Sequence, residues 1–256
     1  MTDLVALNKI THRVFRVAIE HARREYATVN AVSVIPREFQ RLVAHYPIFF
    51  AKGPESGRLE PVALLGFARG ENLFLADLGR DDAAYVPLQI QRQPFALIPR
   101  RDDAAGTQPT LDLALDMSSP HVQTQEGERL FQDDGQPTAF LQTISSIMQA
   151  LVEGSREAYA FTGILAELNL LEPVRVDIQF IDASDTKLQG LYWIAAAALK
   201  ALPAAQLAEL RDQEYLEWLY FQMASLAHVS GLVARKNRLL AGVTSSRSGV
   251  GDATSH

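Results

Sequence analysis

Apolar residues in this chain fall into three patterns: continuous runs, strict alternation, and stripes recurring every three to four positions. The changes between them predict its elements. Residues 61–68 form a run, Pro61-Val62-Ala63-Leu64-Leu65-Gly66-Phe67-Ala68, followed by the turn residues Arg69-Gly70-Glu71 and a return as Asn72-Leu73-Phe74-Leu75-Ala76. That order predicts a β-hairpin at the centre of a sheet. Pro87, Pro94 and Pro99 then bracket two short pieces, residues 88–92 and 95–98, because each proline fixes φ and removes a backbone donor.

Upstream, residues 4–34 fit two periods. Ile10, Val14, Val17 or Ala18, and His21 would share a helix face, whereas residues 14–19 also read as a strand. The β-branched density at residues 30–35 predicts extended backbone there. Pro36 suits the first turn of a helix with Phe39, Leu42 and Val43 on its apolar face; Tyr46-Pro47 ends it, and Ile48-Phe49-Phe50 reads as a buried strand. Residues 52–60 and 100–109 read as loops.

Leu111, Leu113 and Leu115 alternate with polar positions, which predicts a strand with one wet face, and residues 118–136 are a polar loop. From Thr138, a candidate N-cap, to Leu170 the stripe of Phe140, Leu141, Ile144, Ile147, Met148 and Leu151 predicts helix, in one piece or in two with a break near Gly154. Glu172-Pro173 is the expected stop. Residues 174–181 and 187–194 read as a hairpin joined by residues 182–186, followed by short helices at 195–201 and 204–211.

The last element, residues 214–238, is apolar around most of its circumference, so Trp218, Phe221 and Met223 must face either the core or a partner. The expectation is an α+β fold, a mixed or antiparallel sheet built from hairpins and packed against C-terminal helices. It would form one domain over residues 1–240, with a helical C-terminal part from about residue 137 and a disordered tail at 241–256.

Composition narrows the function classes. With 48% hydrophobic residues the chain can bury a core, and a formal charge of -6 without a basic block speaks against nucleic acid. The absence of cysteine removes disulfides, thiolate metal sites and thiol nucleophiles together. The N-terminus lacks the apolar core of a secretory signal, and the longest apolar runs are about half the roughly 20 residues that a spanning helix needs. A cytoplasmic protein without membrane insertion is expected.

No Gly-x-x-x-x-Gly-Lys-Ser/Thr, Gly-x-Gly-x-x-Gly or Gly-x-Ser-x-Gly motif is present. None of the six histidines is followed two residues on by an acid, so no resident metal or cofactor is expected; His12, His45 and His121 are the weaker metal candidates. His45 reads most simply as a helix C-terminal residue facing the dipole, and His228 as a packed or rim histidine. The acidic residues Glu126, Glu128, Asp133 and Asp134 lack EF-hand spacing and read as a solvated loop.

One constellation could bind a polar ligand or do acid-base work: Asp82 and Tyr85 with Arg92, flanked by Arg80 and Asp81, to which Asn72 and His45 are added as candidate ligand-binding residues. The plain alternative is a turn whose charges face water, since surface ion pairs are common and weak.

Taken in order, Leu7-Asn8 with His12, Glu38-Phe39, Tyr46-Pro47-Ile48, residues 61–66, Gly70-Glu71-Asn72-Leu73-Phe74, Tyr85-Val86-Pro87 and Pro94-Phe95 resemble the SapC-like family of bacterial proteins. Gly127-Glu128-Arg129-Leu130-Phe131, Leu170-Leu171-Glu172-Pro173, Gly190-Leu191-Tyr192 and Ser225-Leu226 extend the resemblance to about Arg238. Asp81 stands where that pattern has an aromatic residue, and Gln91-Arg92-Gln93 where it has a more basic pair.

The resemblance implies a locus shared with TonB-dependent receptors, flavin-dependent halogenase-like proteins and cupin-type proteins. Two functions follow as expectations. One is a non-catalytic accessory protein of a nutrient-uptake or surface-modification locus, binding a small ligand or a partner that is either encoded in the same locus or a second copy of this chain. The other is a tailoring enzyme acting on a peptide or protein segment.

Overall fold

Ile48-Phe49-Phe50, three large apolar residues in a row, can satisfy both their burial and their backbone only inside a sheet, and that is where they lie. A computed structural model describes residues 2–19, 28–53, 56–74, 85–100 and 110–248. The chain divides into two compact units, residues 1–27 with 86–155 and residues 28–85 with 156–256.

In the second unit, strands β3 (Ala31–Ser33), β4 (Ile48–Lys52), β5 (Leu59–Leu64), β10 (Leu171–Pro173) and β13 (Leu191–Ile194) form an antiparallel sheet in the order β10-β13-β4-β5-β3. The predicted strand at residues 61–68 is β5, but its partners are β4 and β3 rather than a returning arm. Residues 72–74 of that arm form a turn, and Leu75 and Ala76 lie outside the described residues. The cause is local. The Glu71 carboxylate accepts the N–H groups of Phe67 (2.9 Å) and Ala68 (3.3 Å), and Asn72 Oδ1 accepts that of Phe74 (3.0 Å). Side chains thereby take the donors that a ladder would have used.

A 3-10 turn, Pro36–Glu38, leads into helix α1 (Phe39–Leu42) as the proline predicts. Helix α3 (Ala139–Glu167) is one unbroken helix of 29 residues, capped by Thr138 Oγ1, which accepts the Leu141 N–H at 3.3 Å. Neither Gly154 nor Gly163 breaks it, because the buried stripe continues through Ala158, Phe161 and Leu165. Residues 139–155 of this helix belong to the first unit and 156–167 to the second. It ends earlier than Glu172-Pro173, at left-handed Asn169 (φ 53°), with the Leu170 N–H returning to the Leu165 carbonyl at 2.8 Å. Pro173 instead occupies the edge strand β10, where a missing donor costs little.

The hairpin expected at residues 174–194 is present but interrupted. β11 (Val176–Gln179) pairs with β12 (Asp185–Leu188), and β10 pairs with β13. Between the two ladders one strand carries an extra residue at Gly190, whose φ of 73° makes the bulge.

Helices α4 (Ala196–Lys200) and α5 (Ala204–Asp212) follow, and the long helix expected at 214–238 is two: α6 (Tyr215–Ser225) and α7 (His228–Ser248). The break has a polar cause. The Ser225 hydroxyl donates to the Gln222 carbonyl (2.6 Å) and accepts the Ile48 N–H (2.9 Å), while Leu226 and Ala227 tighten to three-residue turns. Helix α7 continues to Ser248, where a disordered tail was expected from residue 241; no proline interrupts it, and a nucleated helix propagates at one bond per residue. Residues 249–256 of that expected tail lie outside the described residues.

Helix α6 docks on the sheet through Gln222, which is fully buried. β4 and β13 pair at Tyr192–Phe50 and Leu191–Ala51, then part. Into the gap Gln222 inserts its side-chain amide, donating to the Ile48 carbonyl (2.8 Å) and accepting the Ile194 N–H (3.3 Å), as a peptide of a neighbouring strand would. Beside it, the fully buried Phe161 ring lies 5.2–6.5 Å from the rings of Tyr215, Trp218, Phe50 and Phe39.

The first unit holds the sheet β1-β7-β6, made of Leu4–Ala6, Leu111–Asp116 and Phe95–Pro99. It also holds the short ladder β8-β2-β9, made of Val122–Gln123, Arg16–Val17 and Glu128–Arg129. Helix α2 (Leu88–Gln91) precedes β6. Antiparallel sheets with C-terminal helices make the fold α+β, as the pattern predicts.

Candidate functional site

Pro47 stops α1, and the residues before it turn tightly: the His45 and Tyr46 N–H groups both return to the Leu42 carbonyl at 2.9 Å. The turn presents its carbonyls to the start of α7, where His228 Nε2 lies 2.7 Å from the Val43 oxygen. A carbonyl can only accept, so that nitrogen carries a proton.

Spacings of three, four and seven from His228 put Gly231, Leu232 and Arg235 on the same helix face. With Ala44, His45 and Phe74 these residues line a cavity of about 130 Å3. Its back wall is aromatic: the Arg235 guanidinium lies 4.5 Å from the Phe74 ring centre, and Phe74 lies 4.5 Å from buried Tyr46. The Phe74 loop is tied to α7 by the Glu71–Lys236 ion pair, and Asn237 Oδ1 accepts the Ile181 N–H at 3.1 Å. A Cβ placed on Gly231 would meet nothing within 4 Å.

Among the described residues no carboxylate lines the cavity, and its ionisable groups are two imidazoles and a guanidinium. Burial, then repulsion from His228 and Arg235, holds His45 below its ordinary pKa of 6.5. Burial raises the Tyr46 phenol far enough to keep it protonated, although Arg235 opposes this. Burial and then Arg238 lower Arg235.

Of the predicted site residues, His45 lines this cavity and Asn72 turns the loop that delivers Phe74 to it. Tyr85, in the same unit, donates its hydroxyl to Glu38 Oε1 at 3.0 Å with Arg41 over its ring at 5.5 Å, while Glu38 Oε2 accepts the Ile35 N–H at 3.0 Å. Burial, then Glu38, raises the Tyr85 phenol. Arg92 belongs to the first unit and bonds Gln89 and the Phe95 carbonyl. Asp82, with Arg80 and Asp81, lies outside the described residues.

On α6, Trp218 packs on Phe161 and Tyr215, and Phe221 and Met223 are half-buried. His12 is a buried cap whose Nδ1 accepts the Asn8 N–H at 2.9 Å. Among the described residues no three His, Asp or Glu cluster as metal ligands. Sequence reasoning missed Gly231 and Arg235. The legible signal was a glycine and a basic residue on the helix face of His228.

Fold and pocket together define an α+β protein with a small cavity, lined by two histidines and an arginine, between a helix, a tight turn and a loop. The chain belongs to the SapC family, whose sequence profile matches residues 7–232. The match takes in every lining residue except Arg235. No curated protein and no solved structure matches the chain. Among the described residues no helix is long and apolar enough to cross a membrane.

Proposed function

We propose that this chain is a non-catalytic accessory binding protein that holds a small ligand, or the end of a partner's chain, in the pocket of His45, Phe74, His228 and Arg235. The observation behind this reading is the pocket itself, whose lining sets a guanidinium stacked on an aromatic ring and an imidazole anchored to a backbone carbonyl beside the second imidazole, His45. Tyr46, kept protonated, adds no base. The family resemblance supplies the setting, a cytoplasmic accessory role in a nutrient-uptake or surface-modification locus beside TonB-dependent receptors, where the partner is a protein of the locus or a second copy of the chain.

The experiment compares the native chain with Gly231→Leu, which adds bulk at a lining position where a Cβ meets no atom within 4 Å. Both are purified from cells carrying the locus, and the small molecules or peptide ends that they release on denaturation are weighed by mass spectrometry. The native chain should release a compound, chemically unaltered, that the variant lacks. Equal release from both chains, or conversion of the compound on incubation, rejects the reading.

The alternative, an enzyme tailoring a peptide or protein segment through Asp82, Tyr85 and Arg92, has less support, because the Tyr85 phenol is engaged by Glu38 and the Arg92 guanidinium by Gln89 and Phe95. It predicts that alanine at all three positions abolishes the locus phenotype; an unchanged phenotype would end it.

A further inference from the structure

We infer that the open edge of β1 is an interface with a second copy of this chain, the two β1 strands pairing antiparallel about a two-fold axis through Val5, so that β6-β7-β1 runs on into the partner's β1-β7-β6. This edge lies in the first unit, whereas the residues lining the pocket all lie in the second. β1 ends the order of its sheet, and the parity of its hydrogen bonds decides which backbone groups are spare. The Leu7 N–H donates to the Leu113 carbonyl at 2.7 Å, and the Asp3 carbonyl accepts the Met117 N–H at 2.8 Å, so residues 3, 5 and 7 turn their backbone groups to β7. Those of Leu4 and Ala6 point the other way. Nothing among the described residues bonds them.

An open edge is a template for pairing, and proteins blunt such edges with proline, charge or a cover. β6, on the other side of the same sheet, is bracketed by Pro94 and Pro99, and β10 ends in Pro173. From Leu4 to Leu7 the chain has neither a proline nor a charge, and Leu4 and Val5 are 39% and 38% exposed. Apolar exposure continues beside the edge, at Ile10 and Val14 in the turn after β1 and at Leu111, where β7 runs on past the end of β1. A three-residue ladder falls short of the roughly 1,000 Å2 that a specific interface buries, and these side chains are the apolar surface that widens it.

The edge is complementary to itself. An axis through Val5 sets Leu4 against the partner's Ala6, and Ala6 against the partner's Leu4, so the residues with spare groups face each other and each pair exchanges both of its N–H···O bonds. Val5 meets the partner's Val5 in the intervening pair, where side chains approach most closely and β-branched residues pack well. Charge selects the same direction. Asp3 lies at one end of the strand and Lys9 beyond the other, so antiparallel pairing brings unlike ends together, whereas parallel pairing would set like beside like.

The test is analytical ultracentrifugation of the full chain, which should dimerise in the micromolar range. Ala6→Pro removes an N–H that bonds nothing within the chain, as an edge strand tolerates, and Val5→Lys sets like charges face to face on the axis. Each should weaken the dimer roughly tenfold or more, with the fold intact by circular dichroism. Val5→Glu should do the same by itself. An equimolar mixture of the Val5→Lys and Val5→Glu chains should associate again, the rescue expected of a residue that meets its own copy. A native chain that stays monomeric throughout the micromolar range, a dimer indifferent to these substitutions, or a mixture no more associated than its components overturns the inference.

Discussion

His45 carries the field of its neighbours in its own titration. Its pKa lies below 6.5 first because of burial and then because of His228 and Arg235, so Arg235→Gln should raise it, as read from imidazole NMR shifts against pH. A shift in the other direction would mean that Arg235 acts on the site in another way. The sign for stability is set by the same lowering. Between the folded pKa and 6.5 the unfolded chain binds more protons at this residue, so His45 contributes stability above that window and loses it as the pH falls.

Gly231 gives a second check at this scale. Gly231→Ala should stabilise the chain by about 0.5–1 kcal/mol in chemical denaturation, since the added methyl meets no atom within 4 Å. Destabilisation would show that the helix is tighter there than described.

At the level of elements, Gln222 does for α6 what a strand's peptide does for its neighbour. Gln222→Ala leaves the Ile48 carbonyl and the Ile194 N–H buried without that partner, and should cost roughly 2–4 kcal/mol in denaturant unfolding; a cost below about 1 kcal/mol would show that water replaces the amide. The clasp between α7 and the Phe74 loop should be sensitive to acid. Burial raises the Glu71 pKa, but the bonds from Lys236, Phe67 and Ala68 outweigh it and leave the carboxyl below 4.5. Its stabilisation is therefore present above 4.5 and lost as the pH falls through the folded value. The difference in thermal midpoint between the native chain and Glu71→Gln should shrink in that range; a difference that stays constant into acid would rule out the carboxylate as its source.

These cases show what could be read from sequence. Strands β4, β5 and β7, the Pro36 helix start and the Thr138 cap were legible because their signals are local: apolar runs, alternation and a capping residue. The hairpin return at 72–76 was misread where Glu71 and Asn72 bond their own backbone, and the break after α6 was missed because it depends on Ser225 meeting a strand far away in the chain. His45 was singled out, but Arg235 and Gly231 became site residues only once α7 lay against the turn at 43–46.

For the whole molecule, the two compact units predict two sets of consequences. Gly127 has a φ of 99°, and a Cβ there would fall 2.4 Å from the Val17 carbonyl oxygen. Gly127→Ala should therefore cost about 1–3 kcal/mol from backbone strain, with a further loss from the clash. Hydrogen exchange should show lower protection in β2, β8 and β9 and unchanged protection in β4 and β13. Equal loss in both sets would mean that the units open as one.

The amide of Gln222 also has a consequence in time. It reaches the Ile48 carbonyl across 174 positions of sequence, so a nascent chain on the ribosome has the sheet's middle strands long before it has the group that seals them. The second unit must wait, part-formed, until translation has passed α6.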